Sequence, residues 1–244
     1  MPDGQYYDMK LMKLAFKRET VMPMLALVFA SGVTAALVVA RMVWIGSARD
    51  GFLLWNLFLA WLPLVFALLA CDAYRSGTAG NWRFFGLAGA WLLFFPNAPY
   101  IFTDVIHLAN RFHGQFWVDL VLILICALTG LVLGFVSLFL MQSVVSRMFG
   151  RAASWLFIAG IAGLSGVGIY LGRFLRFNSW DVVFKPLALG RDLGHLAANP
   201  LAHPHSFVLP ALFATFLFIA YLMLYALTHL QHAPIVAASP NAAK

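Results

Sequence analysis

Between Val21 and Ala40 the chain runs for 20 residues without a charged side chain, and comparable runs recur over Phe52–Ala70, Val121–Met141, Ala152–Leu171 and Phe207–Leu227. A helix needs about 20 mostly apolar residues to cross a hydrocarbon core of ~30 Å. The runs therefore predict an all-α integral membrane protein, a polytopic bundle of about six transmembrane helices. Composition agrees, because only 10% of the 244 residues are charged, where soluble domains carry about 25%. No polar linker separates the runs, so residues 20–230 are expected to form one transmembrane domain. A basic segment precedes it at residues 1–19, and an Ala/Pro-rich tail at 231–244 is expected to be disordered. The first run exceeds the roughly 7–15 apolar residues of a signal peptide, which favours an uncleaved helix.

The third span in chain order is harder to find. Phe84–Phe95 is apolar but covers only about 18 Å at 1.5 Å per residue, and Pro96-Asn97-Ala98-Pro99 follows it directly. A proline within a helix removes a hydrogen bond and clashes with the preceding turn. Broken backbone survives at membrane depth only where protein or a water-filled cavity satisfies it. Two geometries fit: one broken helix from about Asn81 to Asn110, or a short span followed by an interfacial helix. The connection between Phe177 and Ser206 is the longest, and Trp180–Leu189 within it has the mixed character of a short interfacial helix on the outer face.

The net charge of +7 suits loop charges that set orientation and meet anionic headgroups. Nucleic-acid motifs and Walker-type loops are absent. With the N-terminus cytoplasmic, nine of the sixteen Lys and Arg fall inside, led by Lys10, Lys13, Lys17 and Arg18. Arg41, counted as a loop residue, falls outside. Cys71 and Cys126 are read as small core hydrophobes. Gly130 and Gly134, and Gly168 and Gly172, stand four apart, as in close helix packing.

Under this topology the unusual polar residues gather on the outer side. Asp104, His107 and Arg111 share a helical face, Asp119 opens the next span, and Arg173, Arg176, Asn178 and Asp181 end the fifth. Asp104 and His107 are candidate acid/base groups. Arg173, Arg176 and Asn178 are candidate binders of an anionic lipid or carrier headgroup. Asn97, Tyr100, Asp119 and Asp181 are expected to orient or support the site. A purely structural reading stands beside this one. Asp104 with Arg173 or Arg176 would then be an ion pair joining two elements, and Asn97, Asn178 or Ser179 would cap helices. His203-Pro204-His205 is too small a ligand set for a metal site, so neither metal nor cofactor is expected.

Phe95-Pro96-Asn97-Ala98-Pro99-Tyr100 with Thr103-Asp104 and His107, followed by Gly172-Arg173-Phe174-Leu175-Arg176-Phe177-Asn178-Ser179-Trp180-Asp181, resembles the bacterial multi-pass membrane family catalogued as domain of unknown function 1361. The resemblance covers roughly Asn56 to Leu227. It implies a bacterial inner-membrane protein of several helices and brings no activity, catalytic residue or cofactor with it. Three readings remain: an enzyme or lipid-handling protein with an outer-face site, a small transporter or channel using Asp104, and a non-catalytic scaffold.

Overall fold

The computed structural model describes residues 18–78, 82–110, 115–198 and 205–230. Every long apolar run becomes a helix. These are α1 (Arg18–Ile45), α2 (Gly51–Ala73), α3 (Trp82–Phe94), α5 (Phe116–Phe149), α6 (Arg151–Arg173) and α9 (His205–Leu230). Three shorter helices are α4 (Asn97–Tyr100), α7 (Asp181–Phe184) and α8 (Pro186–Ala198). Six tracks are long and apolar enough to cross a membrane, the third being Trp82–Leu108. At 34 residues, α5 is about 51 Å long, well beyond the ~30 Å hydrocarbon core. Residues 1–17 of the predicted 1–19 segment, the 231–244 tail, Arg111 and His203 lie outside the described residues.

The most deeply buried span is α5, with α1, α2 and α6 packed along it and α9 against α6. One apolar cluster joins Trp91, Phe95, Phe135, Ile158 and Tyr221. A second joins Val38, Leu53, Leu64, Ile101 and Ile123. Outward positions are just as apolar: Phe29, Val43, Leu156 and Met223 are all exposed. Lipid gives no hydrophobic drive for helix association, so close packing and polar contacts between helices must supply it. Trp91 Nε1 donates to Ser137 Oγ at 3.2 Å, and Thr34 and Thr129 hydroxyls meet at 3.2 Å.

The region after α3 is one broken track rather than a span and a separate surface helix. α4 follows the break, and a 3-10 stretch continues from Ile101 to Asn110. Asp104 meets Asn56, and the His107 ring lies 4.8 Å from that of Phe52. As the chain advances from 104 to 107 its partners on α2 retreat from 56 to 52, so the track still runs antiparallel to α2. Freed backbone is satisfied locally: Ala98 N donates to Phe95 O at 3.1 Å, Tyr100 N to Pro96 O at 3.1 Å, and Asn97 Nδ2 to Phe94 O at 3.0 Å.

Both glycine pairs close on this break. A methyl group at Gly130 would stand 2.8 Å from Ala98 O, and one at Gly134 2.9 Å from Ala98 Cβ. On α6, a methyl at Gly168 would stand 2.9 Å from Pro96 Cγ, and one at Gly172 3.1 Å from Tyr100 Cε2. The small-residue spacing thus serves close packing, as its pattern implies, and what it admits from two sides is residues 96–101.

Candidate functional site

Helix alternation gives the bundle two faces. The near face holds the start of α1 and the end of α9. The far face holds the ends of α1, the 82–108 track and α6. Among the described residues, the buried charged side chains are Arg41, Asp50, Asp104, Asp119 and Asp181, and each sits at the far face.

Asp104 is placed by the 3-10 stretch and is 1% exposed. Its Oδ1 accepts from Arg173 Nη2 at the end of α6, and its Oδ2 accepts from Asn56 Nδ2 at 2.8 Å. Arg173 also donates to Thr103 Oγ1 from Nε and Nη2, at 2.9 and 2.7 Å, and its guanidinium carbon lies 4.6 Å from the Tyr100 ring centroid. His107 Nε2 stands 3.4 Å from Arg173 Nη1 and 3.9 Å from Asp104 Oδ1, with its side chain 45% exposed. A buried charge at the edge of hydrocarbon is costly unless paired and hydrogen-bonded. Here a carboxylate, a guanidinium, a hydroxyl and a carboxamide meet that requirement together.

Beside this cluster lies a cavity of about 190 Å³, lined by Asn56, Asn97, Tyr100, Asn178 and Ser179 with Leu59, Leu93 and Pro96 among its apolar walls. Asn97 Nδ2 reaches across from the break to Ser179 Oγ at 2.9 Å. Asn97 thus ties the break to the 173–181 segment and does not cap α4, whose first flanking residue is Pro96. Arg176 has φ of 58°, the left-handed conformation that commonly ends a helix. This reversal brings Phe177 N to Leu171 O at 3.1 Å and places Phe177, Asn178 and Ser179 on the cavity wall.

Asp181 fixes the outgoing end. Its Oδ2 accepts from Asn178 N at 2.8 Å, and Lys185 Nζ lies 3.1 Å from Oδ1. The Asn178 amide first, and Lys185 after it, hold its carboxyl below the usual carboxylate range. α7 and α8 begin there. A family model for a protein of unknown function, DUF1361, matches residues 55–220. The chain belongs to that family. The DUF1361 segment includes every residue lining the cavity, together with Thr103, Asp104, His107 and Arg173. No curated protein and no solved structure matches the chain.

Of the residues singled out from sequence, Asn97, Tyr100, Asp104, His107 and Arg173 converge directly. Asn178 reaches the cavity wall, and Asp181 holds Asn178. Arg176 is exposed and makes no ion pair among the described residues. Asp119 stands apart from the DUF1361 cavity, in a second buried pair with Arg41 at 2.7 Å that Gln115 joins through Arg41 Nη2 at 3.0 Å. Arg41 is therefore a buried helix residue and not a loop charge. The uncharged run ends at Ala40, whereas α1 continues to Ile45. Asn56 was readable as a polar residue in an apolar helix, but its partner was not. Thr103 lay inside the motif with no role attached. Among the described residues, no three His, Cys, Asp or Glu side chains come together as metal ligands.

Proposed function

We propose that this multi-pass membrane protein binds the polar headgroup of an amphiphile, a lipid or lipid-linked carrier, in its far-face cavity. The observation that carries this reading is the cavity wall: three carboxamides and two hydroxyls from Asn56, Asn97, Asn178, Tyr100 and Ser179, set among Leu59, Leu93 and Pro96. Such a mixture suits a group that is polar at one end and apolar at the other. The Asp104–Arg173 pair supports the wall from behind by holding Asn56 and Tyr100. Arg173 is matched in charge by Asp104, so the wall meets a headgroup through hydrogen bonds rather than through an unpaired charge.

Two features favour binding over the alternatives. Neither Asp104 nor His107 lines the cavity, which weighs against acid/base chemistry there. Among the described residues the buried charges gather at one face and do not continue through the bundle, which weighs against an ion path. We further place the chain in a bacterial inner membrane with its N-terminus cytoplasmic and the cavity outward, on the weight of the basic N-terminal segment. An impermeant thiol reagent should label Ser47→Cys in intact cells, and labelling only after permeabilisation would reverse the orientation.

Binding is tested by native mass spectrometry of protein released from lipid nanodiscs. Asn178→Leu with Ser179→Ala should lower the retained amphiphile by about tenfold, the cost of one or two lost hydrogen bonds. His107→Ala should leave retention intact. Full retention in the first variant would overturn the proposal.

A further inference from the structure

The near face carries its own polar cavity, independent of the far-face reading. It has a volume of about 290 Å³ and is lined by Gln142, Ser146, Arg147, Arg151, Ser154 and Tyr225, among others. A neighbouring cavity of about 190 Å³ adds Arg75 and Tyr74, and the two share Phe139, Ser143 and Arg147. The hairpin between α5 and α6 builds the lip. Gly150, with φ of 88°, reverses the chain so that Arg147 closes one helix and Arg151 opens the next.

The donors at this site are largely uncommitted. Arg75, Arg147 and Arg151 are exposed and form no ion pair among the described residues. Asp72, three residues before Arg75 in the chain, lines neither cavity. Gln142 is only 5% exposed, and its Oε1 accepts from Tyr221 Oη at 2.5 Å. That bond leaves the carboxamide nitrogen without a partner among the described residues, and Gln142 lines the cavity. Ser143 and Ser154 spend their hydroxyl protons on Phe139 O and Arg151 O. The wall thus sets guanidinium groups and the Ser146 hydroxyl around a buried N–H donor, with no carboxylate among its lining residues. Such a site selects a compact oxyanion, and planar guanidinium forks match phosphate oxygens.

We propose that this near-face cavity binds a phosphate group, carried either by an anionic lipid of the adjoining leaflet or by a soluble phosphate compound. The guanidinium groups of Arg147 and Arg151 grip the phosphate oxygens, Arg75 extends the grip through the shared wall, and the Gln142 amide fixes depth.

The test uses the full chain. Native mass spectrometry from nanodiscs of mixed phosphatidylglycerol and phosphatidylcholine should show phosphatidylglycerol retained by the wild type. Retention should fall about tenfold or more in R147Q/R151Q, consistent with losing charge-assisted hydrogen bonds. R83Q, which removes an exposed near-face arginine outside both cavities, should not change it. Q142E keeps the acceptor for Tyr221 but puts a carboxylate toward the oxyanion, and it should reduce retention as well. If inorganic phosphate raises the melting temperature of the wild type but not of R147Q/R151Q, while phosphatidylglycerol retention is equal, the occupant is a soluble phosphate. Equal behaviour of wild type and R147Q/R151Q in both measurements would overturn the proposal. So would an equal loss in R83Q, which would reduce the arginines to general headgroup attraction.

Discussion

The Asp104–Arg173 pair makes the sharpest claim on stability. Asp104→Ala leaves the guanidinium with Thr103 and the Tyr100 ring but no counter-charge, and leaves Asn56 Nδ2 without its acceptor. Arg173→Ala leaves a carboxylate, 1% exposed, with Asn56 as its remaining close donor. Removing one partner of a buried pair costs about 3–5 kcal/mol. The Arg173 side chain is 12% exposed and can shift toward water, so Asp104→Ala should fall near the lower bound and Arg173→Ala near the upper. With roughly 2–4 °C per kcal/mol for chains of 150–250 residues, the melting temperature should drop by about 6–20 °C. The double variant should lose less than the sum, with a coupling of about 0.5–3 kcal/mol. Asp104→Ala with Arg176→Ala should be additive. The assay is thermal unfolding in detergent, followed by intrinsic fluorescence. Additivity for Arg173, or coupling for Arg176, would refute the assignment.

Gly168→Ala places a methyl 2.9 Å from Pro96 Cγ and should destabilise by about 1–3 kcal/mol, as overpacking does. Gly160→Ala, with no atom within 4 Å of the new methyl, should be neutral or mildly stabilising in the same melting assay. The carboxyl of Asp181 is held low by the Asn178 amide and then by Lys185. Its contribution is therefore complete above the ordinary aspartate pKa and is lost as pH falls through the lower folded value. Relative to an unstructured peptide at the same pH, the Asn178 amide should be protected from hydrogen exchange at pH 6 and lose that protection as pH falls below the ordinary aspartate range, whereas Asp181→Asn should already lack it at pH 6. A protected amide in that variant would detach Asn178 from Asp181.

The break and the pairing of Asp104 with an arginine of the fifth span were legible, because a proline pair and an isolated intramembrane charge each demand compensation. The choice between Arg173 and Arg176 was not. Both flank the end of α6, and the decision turns on the left-handed backbone at Arg176, which sends that side chain outward. Arg41 was missed for a different reason. Hydropathy ends a span where charge begins, yet this helix continues past its first charge toward Asp119. Glycine spacing announced close packing, but spacing has no means of naming the partner, and proximity of residues 96–101 to two helices about 30 and 70 residues onward is a tertiary fact.

That proximity sets an order of birth for the molecule. At 13 residues, α3 reaches only about 20 Å, and the break after it is seated by glycines that the ribosome has not yet made. Residues 130 and 134 deliver one half of the seat, and residues 168 and 172 the other. The third span should therefore enter the bilayer unfinished and mature only when α6 arrives, which would make the far-face cavity a late product of synthesis. In arrested nascent chains, Thr103→Cys should react freely with a thiol reagent until residue 172 has cleared the translocation channel. Shielding of that thiol in chains that stop at Phe149 would mean that the third span ripens without its last partner.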